Sequence, residues 1–167
     1  MFTSIAEFEK DWTRESGNTQ KYLDALTDSS LSQAVNNDHR TLARMAWHIA
    51  VTLPEMMKHT GLTVTSLDEK APVPKKAAEI QKAYKTVAKE LLDQVKENWK
   101  DEDLAIEDNL YGEQWKRGAT LEVLLRHEIH HRGQMSVLMR QAGVAVPGVY
   151  GPSKEEWTGY GAPVPEV

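Results

Sequence analysis

Four stretches of this chain repeat apolar residues at the three- and four-residue steps of an α-helix, and no stretch offers a convincing strand. The first begins at Ser4, with Glu7 three residues on in the pattern of a capping box, and carries Ile5, Phe8, Trp12, Tyr22, Leu23 and Leu26 on one side. Asp28-Ser29-Ser30 marks its end. The second runs from near Thr41 to just before Gly61, with Leu42, Met45, Ile49, Leu53 and Met56 as its stripe. Pro54 lacks the N–H that would bond to Ala50, which predicts a kink or break there. Residues 60–74, with Gly61, Pro72 and Pro74, read as a crossover loop. The third helix, roughly 75–99, carries Ile80, Tyr84, Val87, Leu91, Val95 and Trp99. A loop with Asp108-Asn109, Gly112 and Gly118 follows. The fourth helix begins near Thr120 and ends before Gly143, with Leu121, Leu124, Met135, Leu138, Met139 and Ala142 as its stripe.

A helix with one apolar stripe must bury that stripe against another element. Four such helices with long connections therefore predict an all-α fold, a four-helix bundle with crossovers. The 167 residues suffice for one core and are read as one domain, 1–167. The Gly- and Pro-rich tail, 143–167, is expected to dock on the bundle through Tyr150, Trp157 and Tyr160, with Ser153 and Glu156 capping a short turn before Trp157. The methionines of the second and fourth helices read as core filling, because a flexible thioether fits irregular gaps.

Composition narrows the function. No run of eighteen apolar residues is present, so no transmembrane helix is expected. Met1 to Phe8 lacks the basic-then-apolar order of a signal peptide, so a cytoplasmic location is expected. A net charge of −5 argues against a nucleic-acid partner. The lysines of 75–100 alternate with Glu and Asp as on a solvated helix face. The chain has no cysteine. Disulfides, thiolate ligands and a cysteine nucleophile are thereby absent, and any thiol chemistry must use an external thiol.

The chemistry-bearing run is Arg126-His127-Glu128-Ile129-His130-His131-Arg132-Gly133-Gln134. His127 and His131 are four apart in a helical segment, which stacks them on one face with Cβ atoms about 5–6 Å apart. Both fall in the sector of Leu124, Met135 and Leu138 and so face the interior, where each ring must find partners for two nitrogens. Two imidazoles so placed can grip one transition metal, and a catalytic metal needs at least one more donor. His48 and His59 share a face of the second helix, and periodicity does not separate them. Position favours His48, because His59 lies in the last turn; His39, in a loop, is the weakest candidate. Three neutral nitrogen ligands suit zinc, nickel, copper or iron. His130 points away from the sector.

Two other motifs overlap this run. His127-Glu128-Ile129-His130-His131 matches H-E-x-x-H of zinc proteases, with Glu128 as general base. The metzincin extension fails at Gln134 and Val137, and no strand is available to align a peptide. The Glu128-x-x-His131 unit of di-iron bundles needs a second copy, and Glu55 followed by Lys58 does not supply it. Glu128 is read as pairing with Arg132 at i, i+4, with base or ligand-orienting roles as alternatives. Gly133, costly mid-helix, is read as permitting close helix packing.

The run from His127 through Gln134 and on to Val144, the segment Thr41-Leu42-Ala43-Arg44-Met45-Ala46-Trp47-His48-Ile49-Ala50, and Val146 to Ser153 together resemble the DinB/YfiT-like family of metalloenzymes. The resemblance spans nearly the whole chain, and its most specific part is H-x-x-x-H-R-G-Q. It implies an up-down-down-up four-helix bundle, often a homodimer, with nickel or zinc held at His48, His127 and His131. Relatives in that family include S-transferases and isomerases that use bacillithiol, mycothiol or glutathione. The expectation is a thiol-dependent S-transferase acting on a small-molecule thiol and an electrophile. A metal-dependent hydrolase and a non-catalytic, metal-stabilised dimeric module are the alternatives.

Overall fold

The computed structural model describes residues 1–68 and 70–166. Four helices carry the fold: α1 (Ile5–Asp24), α2 (Leu42–Met57), α3 (Ala77–Asn98) and α4 (Arg117–Gln141). The apolar stripes are the core. Phe8, Trp12, Leu42, Ile49, Leu53, Ile80, Tyr84, Leu91, Leu121 and Met139 are all at most 1% exposed, and Met45, Met56, Met57 and Met135 fill the spaces between them. Each of α1 and α2 packs against both α3 and α4. The pairs α1/α2 and α3/α4 lie across the diagonals, which is why the connections must cross the bundle ends. Among the described residues no helix is long and apolar enough to cross a membrane.

The connection between α3 and α4 contains structure that its sequence does not announce. Residues read as loop form a hairpin, β1 (Glu107–Leu110) paired antiparallel with β2 (Glu113–Lys116). Each strand is four residues of mostly polar side chains, too short and too hydrophilic to show alternation. The turn gives the hairpin away: Tyr111 (φ 54°) and Gly112 (φ 90°) are both left-handed, as a two-residue primed turn requires. Arg117 ties the hairpin to α4 through a bidentate pair with Asp108 and lies over the Trp99 ring.

Helix ends also differ from the reading. Ser4 is the N-cap of α1 by position but makes no side-chain cap bond; Asp101 Oδ1 instead accepts from Ile5 N at 2.8 Å. A carboxylate from a distant loop has taken the place of the local capping box. Thr41 does cap α2, accepting from Arg44 N at 3.2 Å. The helix continues through Pro54 to Met57, so the break expected there does not occur, and α2 goes without the one bond that Pro54 cannot donate to Ala50 O. The fourth helix starts three residues earlier than expected, at Arg117. Gly118, read as loop, is inside its first turn: a Cβ there would sit 2.1 Å from Phe2 O, so the glycine lets the N-terminal strand of chain cross. Gly133 is not a packing glycine; a Cβ there meets nothing within 4 Å.

In the tail, Glu156 accepts from the N–H groups of Ser153 and Gly148, and a 3-10 turn follows at Trp157–Tyr160. Val146 is buried and Trp157 half-buried, whereas the Tyr160 ring lies 72% exposed. Tyr150 reaches the bundle by its hydroxyl, which donates to Glu15 Oε2, and by its ring, which the Arg132 guanidinium overlies at 5.5 Å, although the residue as a whole is 66% exposed.

Candidate metal centre

Because α2 packs on α4, one histidine of α2 meets two of α4. His127 Nε2 lies 3.2 Å from His48 Nε2 and 3.0 Å from His131 Nε2. One donor atom from each residue falls within 4.8 Å of the others, a group that could hold a metal ion. His59 stands apart, beside Glu55 and Tyr111, and His39 bonds to Asn36 in its loop. His130 is exposed, with its ring 5.0 Å from that of His131.

The chemistry of the three nitrogens fits a cation. Gln134 Oε1 accepts from His131 Nδ1 at 2.7 Å, which leaves the His131 Nε2 lone pair aimed at its neighbours. His127 Nε2 faces two ring nitrogens and can carry at most one proton, so neutral imidazoles cannot give each contact its own proton. A metal with bonds of 2.0–2.1 Å to nitrogen would set its ligand atoms about 2.9–3.4 Å apart, the range these side chains already approach. Burial pushes the pKa of both His48 and His127 down to about 4, and Arg40's charge acts in the same direction. Burial lowers His131 as well. All three rings are therefore neutral at pH 7, the protonation state a metal ligand needs.

Beside the histidines lies a cavity of about 190 Å³. His48 and His127 form part of its wall, and Val51, Met56, Trp115 and Val123 make most of the rest apolar. Glu55 and Tyr111 also line it, with Tyr111 Oη donating to Glu55 Oε2 at 2.6 Å. The hairpin thus supplies a side of the cavity, which sequence periodicity could not reveal.

Glu128 does not pair with Arg132. It is 1% exposed and turned to the interior, where its Oε1 accepts from the Tyr84 hydroxyl of α3; its Oε2 has no hydrogen-bond partner among the described residues. Arg132 instead reaches α1, with Nη2 2.6 Å from Glu15 Oε2 and Nη1 3.0 Å from Glu15 O. Helix spacing alone pairs i with i+4, but both side chains are buried and take their partners from facing helices. Burial pushes the Glu128 carboxyl up to about 7, against the opposing pull of the Thr19 and Tyr84 hydroxyls and the Arg132 charge. The same burial raises Tyr84 well above its ordinary value, so it remains a donor.

The buried Glu128 carboxyl makes the stability of the fold depend on pH. Between about 4.5 and about 7 the folded chain keeps a proton that the unfolded chain releases, so this carboxyl costs the fold more stability as pH rises across that window. Glu128→Gln has no such titration. Its stability relative to wild type is expected to climb between those pH values and then level off, read by urea unfolding at several pH values. A difference that stays flat, or falls, contradicts the assignment.

A four-helix bundle that gathers three histidines from two facing helices defines a class of helical proteins built to present imidazoles to a shared point. The chain belongs to the DinB family, whose model matches residues 1–166. It is 41% identical over 167 residues to the uncharacterised Bacillus subtilis protein YrdA, covering 100% of both chains. The crystal structure of a DinB-like protein from Bacillus cereus shares 42% identity with a TM-score of 0.86, covering 90% of this chain and 100% of that one. A second DinB-like structure, YjoA from Bacillus subtilis, has a TM-score of 0.64 over 82% of this chain and 92% of its own. At 16% identity that likeness shows the fold alone.

Proposed function

We propose that His48, His127 and His131 hold one divalent transition metal, nickel or zinc, and that the protein is a cytoplasmic thiol-dependent S-transferase. The observation that carries this reading is the convergence of three neutral imidazole nitrogens, 3.0 and 3.2 Å apart across His127, beside an apolar cavity. A bound divalent metal supplies Lewis acidity, which lowers the pKa of a thiol from its free value near 8.5 toward the thiolate. The chain does the rest. Its imidazoles are kept unprotonated by burial, and Gln134 fixes the His131 ring through Nδ1. Val51, Met56 and Trp115 exclude water from the side where an apolar electrophile would lie. With no cysteine of its own, the protein must receive its sulfur as a ligand. The seclusion of Glu128 against Tyr84 favours transfer over hydrolysis, since the motif's general base does not line the cavity. A homodimer belongs to the same proposal.

Cobalt-substituted protein tests it. A low-molecular-weight thiol is expected to shift the visible spectrum at millimolar concentration and to conjugate to a model electrophile faster with the protein than without. If bacillithiol, mycothiol, glutathione and coenzyme A all leave the spectrum unchanged, the transferase reading is overturned in favour of hydrolysis.

Chelation separates a catalytic metal from a structural one. The four stripes form a core without help from the histidines, so removal of metal is expected to lower the melting temperature by mass action alone while helical circular dichroism persists. Loss of most helicity on chelation would instead mark the metal as the fold's support.

A further inference from the structure

Arg44 stands one helical turn before His48 on α2, and Thr52 stands one turn after it, so the three share a face. The cavity beside the histidines begins at His48 and runs toward the C-terminal end of α2, past Thr52 and Glu55. Arg44 is therefore on the opposite side of His48, about 6 Å along the helix axis. Arg40, exposed, follows on that side just before the cap residue Thr41.

These two arginines differ from the others. Arg14, Arg117, Arg126, Arg132 and Arg140 each pair with a carboxylate. Among the described residues, the guanidinium groups of Arg40 and Arg44 have neither an ion pair nor a hydrogen bond, in a chain with 25 acidic residues to 20 basic ones. Their charges nevertheless reach the site: after burial, Arg40 is the next largest influence on His48 and also bears on His127 and His131. Two cations beside a centre of neutral ligands leave positive charge uncompensated, more so with a divalent ion in place. The helix end does not serve as the anion's seat. Its first N–H groups are taken, Leu42 by Gln33 O, Ala43 by Leu31 O and Arg44 by Thr41 Oγ1. What remains available is a pair of planar, five-donor forks suited to carboxylate or phosphate.

We propose that the ligand of the three-histidine site carries an anionic group, a carboxylate or phosphate, held by Arg44 and Arg40 on the side of His48 away from the apolar cavity. The ligand then spans the site, with its anion at the arginines, its reactive atom at the histidines and any apolar part in the cavity. This rests on reading the histidines as the place where the reactive atom sits.

The test uses cobalt-loaded full-length protein and small compounds of similar size: mercaptoacetate, neutral 2-mercaptoethanol, and malonate, which has carboxylates and no sulfur. Wild type is expected to bind mercaptoacetate about tenfold more tightly than 2-mercaptoethanol, with the preference shrinking as salt is raised. Arg40→Gln/Arg44→Gln is expected to lose most of that preference while keeping its cobalt and its affinity for 2-mercaptoethanol. Arg40 is exposed and Arg44 half-buried, and neither guanidinium has a hydrogen bond or ion pair to lose among the described residues, so the variant is expected to fold. An unchanged preference in the variant overturns the proposal and leaves the thiol reading intact. If neither thiol perturbs cobalt but malonate does, in wild type and not in the variant, the anion site stands and the thiol reading fails. If none of the three binds, the proposal fails too.

Discussion

Replacing His127 by alanine is expected to reduce the metal content from about one per chain to near zero. Its Nε2 is the one in hydrogen-bond range of both other ring nitrogens, so its loss leaves His48 and His131 without a common point. His48→Ala and His131→Ala each leave two ligands, one fewer than a catalytic site with open positions uses. Their metal content should collapse as well. His39→Ala and His59→Ala should retain the metal, since those rings bond elsewhere. Gln134→Ala keeps all three ligands but frees the His131 ring, and a 10–100-fold loss of affinity is typical for such a supporting contact. Elemental mass spectrometry, with circular dichroism to verify folding, reads all of these. Retention of metal by His48→Ala with loss in His59→Ala would assign the third ligand wrongly.

The largest stability effect is expected at Arg132. It is 2% exposed, and its partner Glu15 is fully buried. Its guanidinium donates to the Glu15 carboxylate, to the Glu15 carbonyl and to Thr19 Oγ1, and its Nη2 lies 3.3 Å from the Tyr150 hydroxyl. Arg132→Met removes the cation and leaves the carboxylate among apolar helices, with only Arg14 and Tyr150 as partners. Breaking one side of a buried pair costs about 3–5 kcal/mol. In a chain of this length that is a fall of roughly 6–20 °C in melting temperature. Glu15→Leu combined with Arg132→Met should recover much of the loss, because no buried charge then lacks a partner. A single-variant loss under about 1 kcal/mol would show that the pair carries little.

Arg132 and Glu128 show where sequence reading ended. The stripes of α1 to α4 were legible because burial on one face imposes a 3.6-residue period, and that period also turned His127 and His131 inward. His48 could be favoured over His59 by position in its helix, not by periodicity. The partners of Glu128 and Arg132 were illegible, because Tyr84 and Glu15 lie 44 and 117 residues away and only packing brings them close. Gln134 could have been found: it stands three residues after His131 on the same helix, within reach of Nδ1. The hairpin was hidden by its polarity, with Tyr111-Gly112 as its one local mark. The capping role of Asp101 at Ile5 left no trace in either segment taken alone.

X-ray absorption at the metal edge of freshly purified, untagged protein reads the three-histidine centre itself. The expected result is one first-row divalent metal per chain, with a nitrogen shell at about 2.0–2.1 Å that shows the outer-shell scattering of three imidazoles. That scattering should fall in step with the metal in His127→Ala. A protein that binds no metal even after incubation with nickel or zinc, or a shell made of oxygen alone, would contradict it.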